Sequence, residues 1–247
     1  MDELKELKIL SLEIGQECNL AHIHKKCPIN VRTSDNKFGN LTKQRIISLI
    51  DEANSLGFSG HIAFHYYNEP LLYIDLIKEI INERSENKYL LWTNGELLSE
   101  TVEENNILNL FDNVIITCYD YDKINFYKKL QNFYKNIQIA VWELDDRSNV
   151  YENKSESIYG CDRINCEMPI DYYGNVHLCC QDWNNEYKIG NVLNSTLKSI
   201  VQGDKYRKLR NLSTDNLLKR DCPAICRKCN KQEVRQGFDV ENIKGCI

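Results

Sequence analysis

No run of apolar residues in this chain approaches the ~18 that a membrane-spanning helix requires. Nor do the first residues, Met1-Asp-Glu-Leu-Lys-Glu-Leu7, supply the apolar stretch of a secretion signal. Positive charge is scarce: 31 Lys and Arg stand against 36 Asp and Glu, a net charge of −5, and no polybasic run is present. That balance lacks the electrostatic footprint of a nucleic-acid binder or of a protein drawn to an anionic membrane. Internal repeats and low-complexity segments are missing too. What remains is a composition of 42% hydrophobic and 27% charged residues, enough in 247 residues to bury one large core or two modest ones. Without a secretion signal, eleven cysteines are expected in a reducing cytoplasm, where thiols serve as ligands more readily than as disulfides.

Seven of those cysteines fall between Cys161 and Cys229. Thiolates are soft ligands that select zinc or iron–sulfur clusters. Cys226-Arg-Lys-Cys229 can offer two sulfurs from one tight turn, a hairpin at Gly174 can return Cys179, and Cys161 can supply a fourth. The clustering points to a metal site, with zinc as the rival occupant of a four-cysteine set.

Ahead of it, strand-like and helix-like stretches alternate. Strands are expected at Leu7 to Ile14, His61 to Tyr67, Tyr89 to Thr93, Asn113 to Cys118 and Ile137 to Trp142. Helices are expected from Thr42, as N-cap, to Leu56, and over Leu71 to Glu86, Ser99 to Leu110 and Asp122 to Tyr134. Such alternation is the signature of an α/β fold with a parallel sheet, whose sites form at the strand C-termini. On that edge fall the Cys18–Cys27 loop, Asn68-Glu69, Thr93-Asn94-Gly95 and Tyr119-Asp120. The alternation stops near Asp145, and Asp145 to Tyr159 reads as a polar linker, giving two domains, 1–150 and 151–247.

These stretches together resemble the radical S-adenosylmethionine (SAM) superfamily, in the branch with a C-terminal SPASM or shorter twitch auxiliary-cluster domain. The likeness is carried by Thr93-Asn94-Gly95 with Leu97-Leu98, and by His65-Tyr-Tyr-Asn-Glu-Pro-Leu-Leu72. It extends over Gly174-Asn-Val-His-Leu-Cys179-Cys180-Gln-Asp-Trp, Gly190-Asn191 and Ile225-Cys226-Arg-Lys-Cys229. The resemblance implies a partial (βα) barrel with SAM held near Asn68, Glu69, Thr93 and Asn94. It also implies an auxiliary [4Fe–4S] cluster on Cys161, Cys179, Cys226 and Cys229. The implied activity is SAM-dependent hydrogen abstraction from, and oxidation of, a small-molecule or peptide substrate. The implied partner is an electron donor such as a ferredoxin or flavodoxin. No separate peptide-docking segment precedes residue 7, which leans toward a small or partner-delivered substrate.

The first loop departs from the family's Cys-x-x-x-Cys-x-x-Cys. It carries Cys18 and Cys27 with His22 and His24 between them. Three readings stand: a cluster on both cysteines and one histidine, a single metal ion on two Cys and two His, or no metal. Imidazole in place of thiolate raises an iron centre's potential, which works against reductive cleavage of SAM. Two alternatives therefore accompany the enzyme: an iron–sulfur binding or electron-transfer protein of this fold without SAM cleavage, and a zinc-stabilised interaction module. Tyr67-Asn68 also replaces the usual Gly-Gly before Glu69-Pro70, and only five strands precede residue 150 where six are usual. His61 and His65 share a strand face with Glu69, either as ligands or as hydrogen-bonded core histidines. Asp145-Asp146-Arg147 could face a substrate or simply open the linker. Tyr66, Tyr67, Tyr119 and Tyr121 are expected to line a pocket or pack, and Cys118 to pack. Cys166, Cys180, Cys222 and Cys246 are left over.

Overall fold

The computed structural model describes residues 3–23, 27, 29, 38–141, 163–180, 182, 185–214 and 223–228. Its frame is one eight-stranded sheet: β1 (Ile9–Leu12), β2 (His61–Ala63), β3 (Lys88–Thr93), β4 (Asn113–Cys118), β5 (Ile137–Val141), β6 (Glu167–Ile170), β7 (Asn175–His177) and β8 (Lys188–Asn191). The strands lie in the order β5-β4-β3-β2-β1-β6-β7-β8. From β5 to β6 every neighbour is parallel, and β7 and β8 complete the sheet antiparallel. This is the expected α/β architecture, and the five strands before residue 150 are all present. The sixth parallel strand lies beyond the linker: β6 pairs with β1, Ile9 opposite Glu167 and Leu12 opposite Ile170. The expected boundary near residue 150, the linker and Asp145-Asp146-Arg147 lie outside the described residues.

Three helices of ten or more residues cover the outer face: α1 (Lys43–Ser55), α2 (Ile74–Glu83) and α3 (Ile124–Phe133). Thr42 caps α1, its hydroxyl accepting from the Arg45 N–H at 3.2 Å. Ile46, Ile47, Leu49, Ile50 and Ala53 form the buried stripe, and Gly57 turns the chain away at φ 85°. Fully burying one such aliphatic side chain contributes on the order of 2 kcal/mol. Together with Leu10, Leu12, Ile62, Phe64, Leu91 and Ile116 these residues build the main core. Four more helices belong to the C-terminal half: the short α4 (Arg163–Cys166), α5 (Leu197–Gln202) and α7 (Ala224–Lys228), and the longer α6 (Asp204–Thr214). That half is fastened to α1: Arg45 donates to the Val192 carbonyl at 2.6 and 3.0 Å, and Glu52 accepts from the Leu197 N–H at 2.6 Å.

One expected helix is absent. Ser99 to Leu110 forms two 3₁₀ turns, Val102–Glu104 and Asn106–Leu110, rather than an α-helix. Asn105 causes the break. Its buried amide accepts from the Ser99 N–H and donates to the carbonyls of Ser99 and Thr101, groups that a helix would use for itself. The start expected at Leu71 is likewise a 3₁₀ turn, Pro70–Tyr73, before α2 begins.

Candidate functional site

The strand C-termini converge on a cavity of about 180 Å³. Glu69 is the hub of its rim. Its carboxylate is 3% exposed and accepts from Thr93 Oγ1 at 2.6 Å, from the Asn94 N–H at 3.0 Å and from the Leu71 N–H at 3.0 Å. Burial nevertheless holds its pKa above the ordinary carboxylate value, against those bonds. Asn68 braces the same turn, accepting from the Tyr66 N–H at 3.3 Å and donating to the Phe64 carbonyl at 3.1 Å. Gly95 is required here: its φ is 76°, and an added Cβ would stand 2.8 Å from Ile116 Cγ2. The structure thus brings Asn68, Glu69, Thr93 and Asn94 together on one wall, where they tie β2 to β3.

Cys18 and Cys27 line the same cavity. Asn94 Nδ2 lies 2.7 Å from Asn19 Oδ1 and 3.9 Å from Cys18 Sγ, so the wall also holds the first loop. Burial, with the negative charges of Glu69 and Cys27 adding to it, pushes the Cys18 thiol up to about 11. A bound cationic centre would relieve the burial that raises the Cys18 thiol and the Glu69 carboxyl, and the soft sulfurs of Cys18 and Cys27 suit iron. His22 is exposed and does not line the cavity, and His24 lies outside the described residues. Among the described residues, no three His, Cys, Asp or Glu side chains are close enough together to hold a metal ion.

The C-terminal half meets this cavity through a hairpin. Gly174, at φ 76°, turns β6 into β7, and Asp171 holds the turn by accepting from the N–H groups of Tyr173 and Asn175 at 3.0 and 2.8 Å. Asp171 also pairs with His177 Nε2 at 2.8 Å, both side chains being fully buried. Cys179 and Cys180 follow β7. The hydroxyl of Tyr66 donates to the Cys179 carbonyl at 3.3 Å and that of Tyr67 to the Cys180 carbonyl at 2.7 Å, while the Tyr66 ring stacks on His177. Cys179 and Cys226 both pack against the main core. Cys161 and Cys229 lie outside the described residues.

Sequence reasoning missed two parts of the lining. Cys180, left unassigned, lines the cavity beside Tyr66 and Tyr67. The inner sheet face supplies the other part. Ile9, Ala63, Leu90, Ile115 and Ala140 form a small apolar cluster distinct from the main core. Two positions further along four of the chain segments stand Ser11, His65, Trp92 and Thr117, so the layer above this floor is polar. Trp92 Nε1 donates to Thr117 Oγ1 at 2.9 Å, and Ser11 Oγ donates to Glu167 Oε1 at 2.7 Å. The sequence signal was the change from apolar to polar at i+2 in several strands at once. His61, by contrast, pairs with the Asn113 amide at 2.9 Å, a hydrogen-bonded core histidine. Cys118 is buried packing as expected, and Tyr121 is exposed.

Comparison with known proteins fits this geometry. Residues 161–230 match SPASM, an iron–sulfur cluster-binding domain. Over 254 residues the chain is 26% identical to the S-adenosyl-L-methionine-dependent 2-deoxy-scyllo-inosamine dehydrogenase of Niallia circulans, covering 95% of this chain and 96% of that protein. This chain is thus similar to radical SAM enzymes that carry a C-terminal SPASM domain. Its fold is similar to that of BtrN in complex with AdoMet and 2-DOIA, with a TM-score of 0.67 at 22% identity over 91% of this chain and 93% of that one. BtrN in an open conformation gives 0.61 at 20% identity over 91% and 92%. The radical SAM fold here is a mostly parallel eight-stranded sheet, with the SPASM domain in the C-terminal region. No helix among the described residues is long and apolar enough to cross a membrane.

Proposed function

We propose that this protein is a radical SAM oxidoreductase with an auxiliary [4Fe–4S] cluster, and that it oxidises a small hydroxyl-bearing molecule of the class of 2-deoxy-scyllo-inosamine. One observation carries the reading: the thiols of Cys18 and Cys27, the Glu69–Asn94 wall and the Cys180 end of the C-terminal half all open onto a single cavity. In this assignment Cys18 and Cys27, with His24, hold the cluster of the first loop. Asn68, Glu69, Thr93 and Asn94 shape the SAM end, and Cys161, Cys179, Cys226 and Cys229 hold the auxiliary cluster. When bound, SAM and its cluster supply a radical that removes a hydrogen atom from carbon. The chain's own residues place the substrate and exclude water. Tyr66 and Tyr67, bonded to the carbonyls of Cys179 and Cys180, fix the distance between the auxiliary segment and the cavity. The curated relative's name and the near-complete coverage support a small substrate over a peptide. A ferredoxin or flavodoxin is the proposed electron donor, in the reducing cytoplasm that eleven cysteines suit.

A second reading has its own observation. His22, which stands where the family's second cysteine belongs, is exposed and away from the cavity, leaving two thiols at the first loop. An iron–sulfur electron-transfer protein without SAM cleavage would need no more. Anaerobic iron and sulfide content with Mössbauer spectra separates the two. The enzyme is expected to hold about eight irons, two four-iron clusters, falling by half in Cys18→Ala/Cys27→Ala, and to cleave SAM under reduction. An equal iron content in both proteins, with SAM left intact, refutes the enzyme.

A further inference from the structure

The inner layer of the sheet contains a histidine that the site described so far does not use. His65 follows β2 on the parity of Ala63 and lines the cavity. Its ring packs against Trp92 at 5.0 Å between centroids, and no hydrogen bond reaches its buried Nδ1. A buried polar atom with no partner costs about 1–3 kcal/mol, and at a residue that lines a cavity a bound molecule could relieve that cost. Beside it sits Glu167, 4% exposed, held by Ser11 Oγ at 2.7 Å and facing Arg163 Nη1 at 3.6 Å; both Glu167 and Arg163 line the cavity.

We infer that His65, backed by Glu167, is the residue that accepts the hydroxyl proton of the substrate oxidised in this cavity, an assignment that rests on the proposed function above. The balance closes with the groups already named. The carbon-bound hydrogen leaves as an atom to the SAM-derived radical, the O–H proton passes to the His65 imidazole, and the remaining electron goes to the oxidised auxiliary cluster. The C–O bond thereby becomes C=O. Burial depresses the pKa of His65 below the ordinary histidine value, and Glu167 opposes that depression. The imidazole is therefore neutral and able to accept at pH 7, while the carboxylate stabilises the imidazolium once formed. Glu167 is the charged group that faces the ring, with Arg163 behind it; Trp92 and Thr117 are uncharged, and Glu69 and the thiols of Cys18 and Cys27 stand elsewhere on the cavity wall.

The test uses the anaerobically reconstituted protein with SAM, dithionite and 2-deoxy-scyllo-inosamine deuterated on its ring carbons. Wild type, His65→Gln and Glu167→Gln are compared for deuterium entering 5′-deoxyadenosine and for ketone formed, across pH. Wild-type ketone formation is expected to rise with pH and to level off below the ordinary histidine range. His65→Gln should still transfer deuterium but form ketone on the order of a hundredfold more slowly, without that rise. Glu167→Gln should move the rise to lower pH. A His65→Gln protein with the wild-type rate and profile overturns the assignment. If the wild type moves no deuterium from this probe, it is the substrate class of the proposed function that has failed. His65 is then judged by its imidazole NMR resonances alone: a pKa that falls in Glu167→Gln supports the pair, and one that does not move overturns it.

Discussion

The two faces of this sheet are made from alternate residues of the same strands, yet they carry different tasks. The outer face, Leu10, Leu12, Ile62, Leu91 and Ile116, is apolar throughout and fully packed under the helices. The inner face is apolar for a single layer and then polar, where His65, Trp92 and Thr117 line the cavity and Ser11 holds Glu167. Stability is concentrated on one parity and chemistry on the other. A substitution's consequence should thus follow from whether its position is odd or even along a strand, more than from its place in the chain.

The strongest way to sharpen the contrast is to cut the outer face. Ile62→Ala removes a fully buried side chain from the main core and is expected to cost roughly 2–5 kcal/mol in a denaturant titration, while any bound SAM should keep its affinity. Next comes the hub between the faces. Glu69→Leu leaves the Thr93 hydroxyl and the N–H groups of Leu71 and Asn94 without their acceptor, with a loss of about 1–3 kcal/mol for each bond left unmade and loss of SAM binding by equilibrium dialysis. Retained SAM binding in Glu69→Leu would break the link drawn between the wall and the cofactor. Smaller again is the inner layer: Thr117→Val strips the acceptor from Trp92 Nε1, costing about 1 kcal/mol, with substrate turnover as the readout that changes most. Last is the solvent rim, where Arg84 grips Asp51 at 2.7 and 2.8 Å. The Arg84 bonds hold the Asp51 pKa below 3.8, so the pair's contribution is present above that value and disappears as pH falls through the folded pKa. Arg84→Ala should give the smallest loss of the four at pH 7 and none in acid, where an undiminished loss would show the ion pair was not the cause.

How much of this was legible in the sequence differs between the same regions. The outer face announced itself, because Ile46, Ile47, Leu49 and Ile50 follow the helix period behind a Thr42 cap, and Val114, Ile115 and Ile116 read as a strand. Glu69, Thr93 and Asn94 were legible as a site edge through the parallel-sheet rule. The Ser99 to Leu110 stretch misled because its apolar residues keep a helical spacing while one amide, Asn105, takes the backbone bonds. β6 was obscured by its length of four residues and by the long separation from its partner β1. The inner polar layer was hardest: no local pattern states that Glu167, far along the chain, comes to lie against Ser11.

The pairing of β6 with β1 also governs how the chain must reach its fold. Until residue 170 has left the ribosome, β1 has one neighbour only, and its other side presents unsatisfied backbone donors and acceptors. Such an edge is a template for another copy of the same chain, and closing it joins the beginning of the protein to its final third, a slow event on topological grounds. Nascent or truncated chains ending before Glu167 should therefore be the aggregating species, and β6 acts as the stitch that covers the open side of β1.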